Sequence, residues 1–210
     1  MDFLRIVGRV NKKGVTEIYP KFIVRKSSDL MIRGGDFYAV WNPDKGMWST
    51  DEDDAIGMID RELDDYAEKH KEEYENGFRV LHVWDSETGI IDLWHKYCQR
   101  QMRDNYKTLD EKLIFSNMTT TKEDYCSKRL SYALEAGETP AWEHLVSTLY
   151  FPDERHKIEW AIGSVVSGDS KKIQKFMVLY GEPGTGKSTM LNIIEMLFEG
   201  YVETVDAKSL

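Results

Sequence analysis

The sequence contains few of the residues that build disulfide frameworks and metal sites. Its 210 residues include only two cysteines, Cys98 and Cys126, and these do not form a CxxC pair. The five histidines do not stand at the spacings typical of zinc ligands. These absences favour a reducing compartment and exclude a recognisable zinc motif.

Long apolar runs are also missing. The N-terminal sequence MDFLRIVGRVNKKG has charges between its short apolar runs, so it lacks the roughly 7 to 15 residue apolar stretch of a secretory signal. No later run approaches the roughly 18 apolar residues of a membrane-spanning helix. We therefore expect a cytoplasmic protein without a membrane partner.

What is present is ordinary for a globular protein, with 41% hydrophobic and 31% charged residues. The net charge of -9 argues against a uniformly basic nucleic-acid binder. The charge is uneven, because residues 1–33 carry eight Lys or Arg against three Asp or Glu, whereas residues 51–75 are strongly acidic. A local basic surface is therefore compatible with the acidic total.

Residues 1–89 predict a small α+β domain. Strands are expected at residues 16–24, 36–41 and 46–50, and the sequence NPDKG between the last two is typical of a β-hairpin turn. A long helix with an acidic outer face follows, opened by Ser49, Thr50 or Asp51 as its cap. The sequence GFRVLHVW at residues 77–84 alternates as a further strand.

Residues 90–170 predict a helical domain of four or five helices. Thr121 followed by Asp124 suits a capping box at the start of a helix that ends at Gly137. Pro140 and Pro152 each stand where the first turn of a later helix is expected. A helical middle segment therefore leads into the region that carries the chemistry.

Residues 171–210 predict the start of a P-loop nucleotide-binding domain. The sequence GEPGTGKS at residues 181–188 matches GxxxxGK[ST]. The apolar run FMVLY before it predicts a buried parallel strand, and an apolar face at residues 190–198 predicts a helix after it. Strand, loop and helix are the context in which this motif binds phosphate.

The residue types of this loop suit a bound Mg-ATP. Glycines let backbone N–H groups turn towards phosphate oxygens, and the following helix adds the positive end of its dipole. Lys187 is expected at the β- and γ-phosphates, Ser188 as a ligand of Mg²⁺, and Thr189 near the α-phosphate. The predicted cofactor-binding residues are Gly181, Glu182, Pro183, Gly184, Thr185, Gly186, Lys187, Ser188 and Thr189.

The motif alone does not complete a catalytic site. ATP hydrolysis also needs an acidic residue for Mg²⁺ and water, usually after a later strand, and often an arginine from a neighbour. After Ser188 the sequence GYVETVDAKSL offers only one possible strand, at residues 201–205. We therefore expect this chain to be the beginning of a larger ATPase, with no complete set of catalytic residues of its own.

Two stretches carry a resemblance to a known family. These are TPAWEHLVSTLYFPDERHKIEWAIGSVVSGDSKKIQKFMVLYGEPGTGKSTMLNII and DLMIRGGDFYAVWNPDKGMWSTDEDDAIGMIDREL. The chain resembles the N-terminal portion of superfamily 3 replicative helicases of phages and prophages, also called phage primase-helicases or poxvirus-type helicases. The resemblance implies an α/β protein in which a small α+β domain and a helical segment precede the truncated start of an AAA+-like P-loop domain.

The resemblance also implies a function. The parent would be a hexameric, ATP-driven hydrolase that translocates on single-stranded DNA during phage replication, in the cytoplasm of a bacterial host. By the same likeness, the acidic Walker B pair, the sensor, the arginine finger and the channel loops lie beyond Leu210. The sequence has no recognisable primase acid cluster, so it does not support a priming activity.

Two alternatives remain open. The chain could be a DNA-docking or assembly module with an inert P-loop, or part of an AAA-type remodeller or loader. DNA contacts could come from aromatic residues of the hairpin or from a basic face of the helix predicted after Thr121, although burial is the commoner role of aromatics. The candidate residues are Phe37, Tyr38, Trp41, Trp48, Lys122, Lys128 and Arg129.

Overall fold

A computed structural model describes residues 1–23, 26–33, 37–100 and 107–206. This part of the chain is a mixed α and β structure with two small sheets and six α-helices. It forms two compact units, one of Met1–Leu109 with Thr120–Ser127 and one of Asp110–Thr119 with Lys128–Leu210. The three-part division at residues 89 and 170 stays a prediction.

The first sheet of the first unit has the order β1-β2-β6. Strand β1 (Leu4–Val10) pairs antiparallel with β2 (Thr16–Phe22), which pairs in parallel with β6 (Phe78–Val80). The strand predicted from residue 16 is confirmed as far as Phe22, while β6 is shorter than the predicted 77–84. Strand β1 was not predicted, because charged residues interrupt its apolar ones.

The second sheet is antiparallel and has the order β3-β4-β5. Its strands are β3 (Leu30–Arg33), β4 (Phe37–Asn42) and β5 (Met47–Ser49). The predicted β4–β5 hairpin is confirmed, and the Asn42 side chain closes its turn by accepting hydrogen bonds from the N–H groups of Asp44 and Lys45 at 3.0 and 3.1 Å. Gly46 takes φ +60°, which an L residue adopts only with strain.

Helix α1 (Glu52–His70) covers these sheets and confirms the predicted long helix. Asp51 is its N-cap, and its side chain accepts a hydrogen bond from the N–H of Asp53 at 2.9 Å. The α-helix ends at His70, and a 3-10 turn follows at Lys71–Glu73. The acidic residues of its first turn lie at the positive end of the helix dipole.

The core of the first unit joins the sheets to α1 and to α2 (Ile90–Arg100). Trp94 of α2 is fully buried. Four aromatic rings surround it, those of Phe3, Phe22, Tyr38 and Tyr97, and the centroids of neighbouring rings in this cluster are 5.2 to 6.3 Å apart. On the other face of β4, Trp41 packs with Trp48. Tyr38 and Trp41 therefore lie on opposite faces of β4.

The helix predicted from Thr121 to Gly137 is wrong. The capping box forms between Thr121 and Asp124, yet it opens only a 3-10 turn at Lys122–Asp124. The backbone after this turn forms hydrogen bonds to distant segments instead of helical ones. The N–H of Trp48 donates to the carbonyl oxygen of Cys126, and the N–H of Leu130 donates to the carbonyl oxygen of Ile114. Pairing with distant segments outweighs the local start signal, and no helix carries Lys122, Lys128 and Arg129.

The second unit contains four helices along the described chain. They are α3 (Pro140–Leu149), α4 (Pro152–Val166), α5 (Ser170–Ile173) and α6 (Lys187–Leu197). The predicted prolines in the first turns of α3 and α4 are confirmed. In these described ranges, no helix is both long and apolar enough to cross a membrane.

The two strands predicted in the second unit are not formed. Residues 174–180 and 202–206 have neither helix nor strand, and Phe176 and Tyr180 are 89% and 98% exposed. A strand exists only through pairing, and the backbone of residues 175–180 makes no hydrogen bond to the backbone of another described residue. The apolar run FMVLY is therefore not buried in a sheet, and all of its side chains except the partly buried Leu179 are exposed.

Candidate nucleotide-binding site

The candidate site is the loop between residues 175–180, which form neither helix nor strand, and helix α6. Three glycines in the loop have positive φ, with +154° at Gly181, +83° at Gly184 and +79° at Gly186. An L residue held in the left-handed region is strained by roughly 1–2 kcal/mol, so the glycines allow a tight curl that other residues resist. The Thr185 hydroxyl donates to the carbonyl of Glu182 at 2.9 Å and closes the turn.

Lys187 lies inside this curl. Its Nζ atom donates to the carbonyl oxygens of Gly181 and Glu182 at 2.9 and 2.8 Å, and lies 3.2 Å from the Thr185 hydroxyl. These acceptors are all uncharged, and Lys187 forms no ion pair with any residue in the described ranges. Its positive charge is therefore left for an anion.

The N-terminus of α6 is open in the same place. Its N-cap, Gly186, makes no side-chain cap hydrogen bond, and the first turn of α6 has no acidic residue. The first hydrogen bond of the helix runs from the N–H of Met190 to the carbonyl oxygen of Gly186. The N–H groups of the three preceding residues, 187–189, have no hydrogen-bond acceptor within the described part of the chain. Unpaired N–H groups at the positive end of a helix attract phosphate oxygens.

Two predicted ligands of the nucleotide lie on this first turn. Ser188 and Thr189 are exposed, and their hydroxyls make no hydrogen bond within the described residues. Pro183 is also exposed, at the tip of the loop. Hydrogen bonds thus connect four of the predicted residues, Gly181, Glu182, Thr185 and Lys187. The other predicted residues lie beside them in the loop and in the first turn of α6, and their side chains make no hydrogen bonds to one another.

A cavity of about 560 Å³ lies against this loop within the second unit. Gly181, Thr185 and Lys187 line one side, and residues 149–151 with the first turns of α4 line another. The volume falls in the roughly 300–1,000 Å³ range of small-molecule pockets. A ligand of nucleotide size therefore has room beside the loop.

The end of α3 supports the loop in a way that the sequence did not reveal. A Cβ atom placed on Gly186 would lie 2.9 and 3.0 Å from the two Cδ atoms of Leu149. Gly186 is therefore needed for its backbone conformation, and a side chain at this position would also have to displace the Leu149 side chain of α3. No sequence signal identifies Leu149, because the contact joins segments far apart along the chain.

An ion-pair cluster holds α3 against α4. Arg155 contacts Glu143 and Glu159, each at 2.8 Å, and the Trp142 indole N–H donates to Glu159 at 3.0 Å. Hydrogen bonds from Trp142 and then Arg155 lower the pKa of Glu159, so this carboxylate stays ionised. The cluster fixes the helix pair on which the wall of the cavity depends.

Tyr150 lines the cavity with a buried hydroxyl. No residue in the described ranges pairs with this oxygen. Burial, and then the nearby charge of Glu154, raise the pKa of Tyr150. The hydroxyl is thus neutral at physiological pH and lies beside the candidate ligand space.

A metal site made by the protein alone is not present in the described ranges, since they hold no group of three or more His, Cys, Asp or Glu side chains able to bind an ion. Magnesium would instead be held by Ser188 together with phosphate oxygens, and an exposed hydroxyl beside the open helix end fits that role.

Comparisons with protein-family models, curated proteins and solved structures gave no match.

Proposed function

We propose that this chain binds Mg-ATP through residues 181–189. The observation that carries the proposal is Lys187, whose ammonium group lies inside a glycine curl beside the open N-terminus of α6 with only uncharged acceptors as partners. Lysine, loop N–H groups and helix dipole together supply the positive potential that a triphosphate requires. Ser188 and Thr189 would then contact magnesium and phosphate.

In a cell we propose that this nucleotide site serves a DNA helicase of phage replication. Support comes from the sequence resemblance to superfamily 3 helicases, which implies a hexamer moving on single-stranded DNA. ATP hydrolysis by a protein carrying this chain should then increase when single-stranded DNA is added. An unchanged rate with DNA would contradict the helicase proposal while leaving nucleotide binding intact.

Nucleotide binding is tested by titrating the 210-residue chain with a fluorescent ATP analogue in the presence of Mg²⁺. Lys187→Ala should weaken binding by about 10- to 100-fold, because hydrogen bonds to a charged group contribute roughly 1.5–3 kcal/mol. Ser188→Ala should mainly reduce the gain in affinity that Mg²⁺ gives. Retained affinity in Lys187→Ala would overturn the proposal.

Lys172→Ala is the matched control. Lys172 is also in the second unit, and its ammonium group is on the surface in a 3.1 Å pair with Asp169. The control removes the same charge without touching the loop, so its affinity should equal that of the unmodified chain. An equal loss in both variants would mean that the analogue responds to net charge and not to the site.

A further inference from the structure

The first unit contains a second cavity, which we call the lysine-lined cavity. Its volume is about 420 Å³, and it lies where β3, β5 and residues 120–127 meet. Lys26, Lys107 and Lys122 line it together with Trp48 and Tyr125. Basic and aromatic side chains in one concave site are the two elements that bind single-stranded nucleic acid.

The aromatic wall is held firmly. The Tyr125 and Trp48 rings stack with centroids 6.3 Å apart and planes 15° from parallel. Trp48 is 3% exposed, and its backbone and indole N–H groups donate to the carbonyls of Cys126 and Lys122 at 2.8 and 3.0 Å. Tyr125 has φ +47°, a strained conformation that this anchoring maintains. Such a fixed ring loses little freedom when a base stacks on it.

Two carboxylates, Asp2 and Glu123, line the cavity together with the three lysines, and two of these lysines have no ion-pair partner in the described ranges. Lys122 pairs with Asp29, and the Asp2 carboxylate accepts hydrogen bonds from the side chains of Ser27 and Ser28. Lys26 and Lys107 are exposed, and neither forms an ion pair with a residue of the described ranges. These two ammonium groups are therefore available for external anions.

We propose that the lysine-lined cavity binds one unpaired nucleotide of a single-stranded nucleic acid. The base stacks on Tyr125, and Lys26 and Lys107 contact the phosphates on either side of it. A base in a duplex has no access to such a cavity, because its faces are covered by stacking. The site lacks the glycine curl and open helix end found around Lys187, so it suits separate phosphodiesters more than a triphosphate. This inference does not depend on the P-loop.

The test is fluorescence anisotropy of a labelled oligo(dT), without ATP, on the 210-residue chain. The double variant that carries Lys26→Ala and Lys107→Ala should bind the probe at least fivefold more weakly. A plot of the logarithm of the binding constant against the logarithm of the salt concentration should become less steep by about 1.4, or roughly 0.7 for each lost phosphate contact on a single strand. A double-stranded probe should bind more weakly than the single strand. Unchanged affinity in the double variant would overturn the proposal.

Lys12→Ala with Lys13→Ala is the matched control for charge. Both lysines are exposed in the turn between β1 and β2, so the variant loses the same two charges away from the cavity. Its affinity should stay within about twofold of the original. An equal loss in the control would show non-specific attraction and contradict the cavity assignment.

Two single substitutions test the other walls. Tyr125→Asn keeps a residue that tolerates positive φ but removes the ring, and should weaken binding about tenfold, as expected for one stacked base. Glu123→Gln removes an exposed carboxylate from the rim and should strengthen binding two- to threefold. Thermal unfolding of both variants checks the fold. Loss of binding in Glu123→Gln, or none in a folded Tyr125→Asn, would contradict the proposal.

Comparing oligo(dT) with oligo(rU) identifies the source of the strand, because tighter binding of either one assigns the site to DNA or to RNA. Lys187→Ala should bind both probes like the unmodified chain, which separates this site from the nucleotide loop. In that variant, competition by ATP as effective as that by unlabelled oligonucleotide would overturn the single-strand assignment.

Discussion

The two units differ in how they use their apolar residues. In the first unit, both sheets and two helices contribute to one continuous cluster around Trp94, which is fully buried. In the second unit one buried cluster consists of Val146, Ile158 and Met190, one from each of three helices. Four further apolar residues of this unit are buried outside that cluster, namely Ile114, Phe115, Leu130 and Phe198. The continuous buried cluster of the first unit is therefore the larger one, and the second unit combines a smaller cluster with a loop built by glycines.

Exposure in the second unit shows the same contrast. Phe176 and Tyr180 before the loop and Met196 in α6 are 89%, 98% and 75% exposed. Phe176 and Tyr180 precede a loop whose internal contacts are nevertheless formed, with Lys187 bound to two carbonyl oxygens. A functional loop can thus be well formed where the hydrophobic core beside it is small.

The largest expected effect is on the core of the first unit. Trp94→Ala removes a fully buried ring with aromatic neighbours and a 2.8 Å hydrogen bond from its indole N–H to Glu52. It should lower the free energy of unfolding by about 3–5 kcal/mol, the usual cost of large cavities left by aromatic truncation. Urea unfolding followed by circular dichroism measures the loss.

Met190→Ala is the matching substitution in the second unit. Met190 is fully buried, but its cluster is small and can collapse around the lost atoms, so a cost near 2 kcal/mol is expected. The same urea experiment on both variants sharpens the comparison. A larger loss for Met190→Ala than for Trp94→Ala would contradict the idea that packing stabilises chiefly the first unit.

An intermediate effect is expected at the loop glycines. Gly186→Ala and Gly184→Ala both force an L residue into positive φ, which costs about 1–2 kcal/mol each. Only at Gly186 does the new Cβ meet Leu149, since nothing lies within 4 Å of the corresponding atom at Gly184. Gly186→Ala should therefore weaken binding of the fluorescent ATP analogue more than Gly184→Ala does.

Leu149→Ala provides the control for this pair. Combined with Gly186→Ala it removes the contact but keeps the backbone strain, so the double variant should recover to the affinity of Gly184→Ala. If Gly184→Ala and Gly186→Ala weaken nucleotide binding equally, the packing of α3 has no part in shaping the loop.

Local signals in the sequence predicted the features that depend on neighbouring residues. The β4–β5 hairpin and the first-turn prolines Pro140 and Pro152 are confirmed, and the cap of α1 is Asp51, one of the three predicted positions. In each case the deciding contacts lie within a few residues, as with the Asp51 carboxylate and the N–H of Asp53. Such contacts can be inferred without knowledge of the rest of the chain.

Features that depend on distant pairing could not be predicted in the same way. The capping box at Thr121 suggested a helix, yet the backbone that follows bonds to Trp48 and Ile114. The run FMVLY suggested a buried strand, but apolar character alone does not supply a partner strand. The contact between Leu149 and Gly186 likewise depends on the packing of helices, which the loop motif does not encode.

The smallest expected effect concerns the N-terminus of α1 in the first unit, which differs from the N-terminus of α6 in the second unit in how it is capped. In α1 the Asp51 side chain accepts from one of the free N–H groups, that of Asp53, whereas the N-cap of α6 is a glycine without a side chain that could do so. Asp51→Ala should lower the free energy of unfolding by about 1 kcal/mol, while Asp51→Asn should change it little because its side-chain oxygen also caps.

Added phosphate should act only where the helix end is open. In a chain that carries Lys26→Ala and Lys107→Ala, which removes the two unpaired lysines of the lysine-lined cavity, phosphate should raise the midpoint of thermal unfolding. Lys187→Ala should abolish this gain, while Asp51→Ala retains it. The reason is mass action, since an anion that binds the folded loop shifts the equilibrium away from the unfolded state. A phosphate effect that survives in Lys187→Ala would mean that the open end of α6 is not the anion site, and that the two helix ends differ in capping alone.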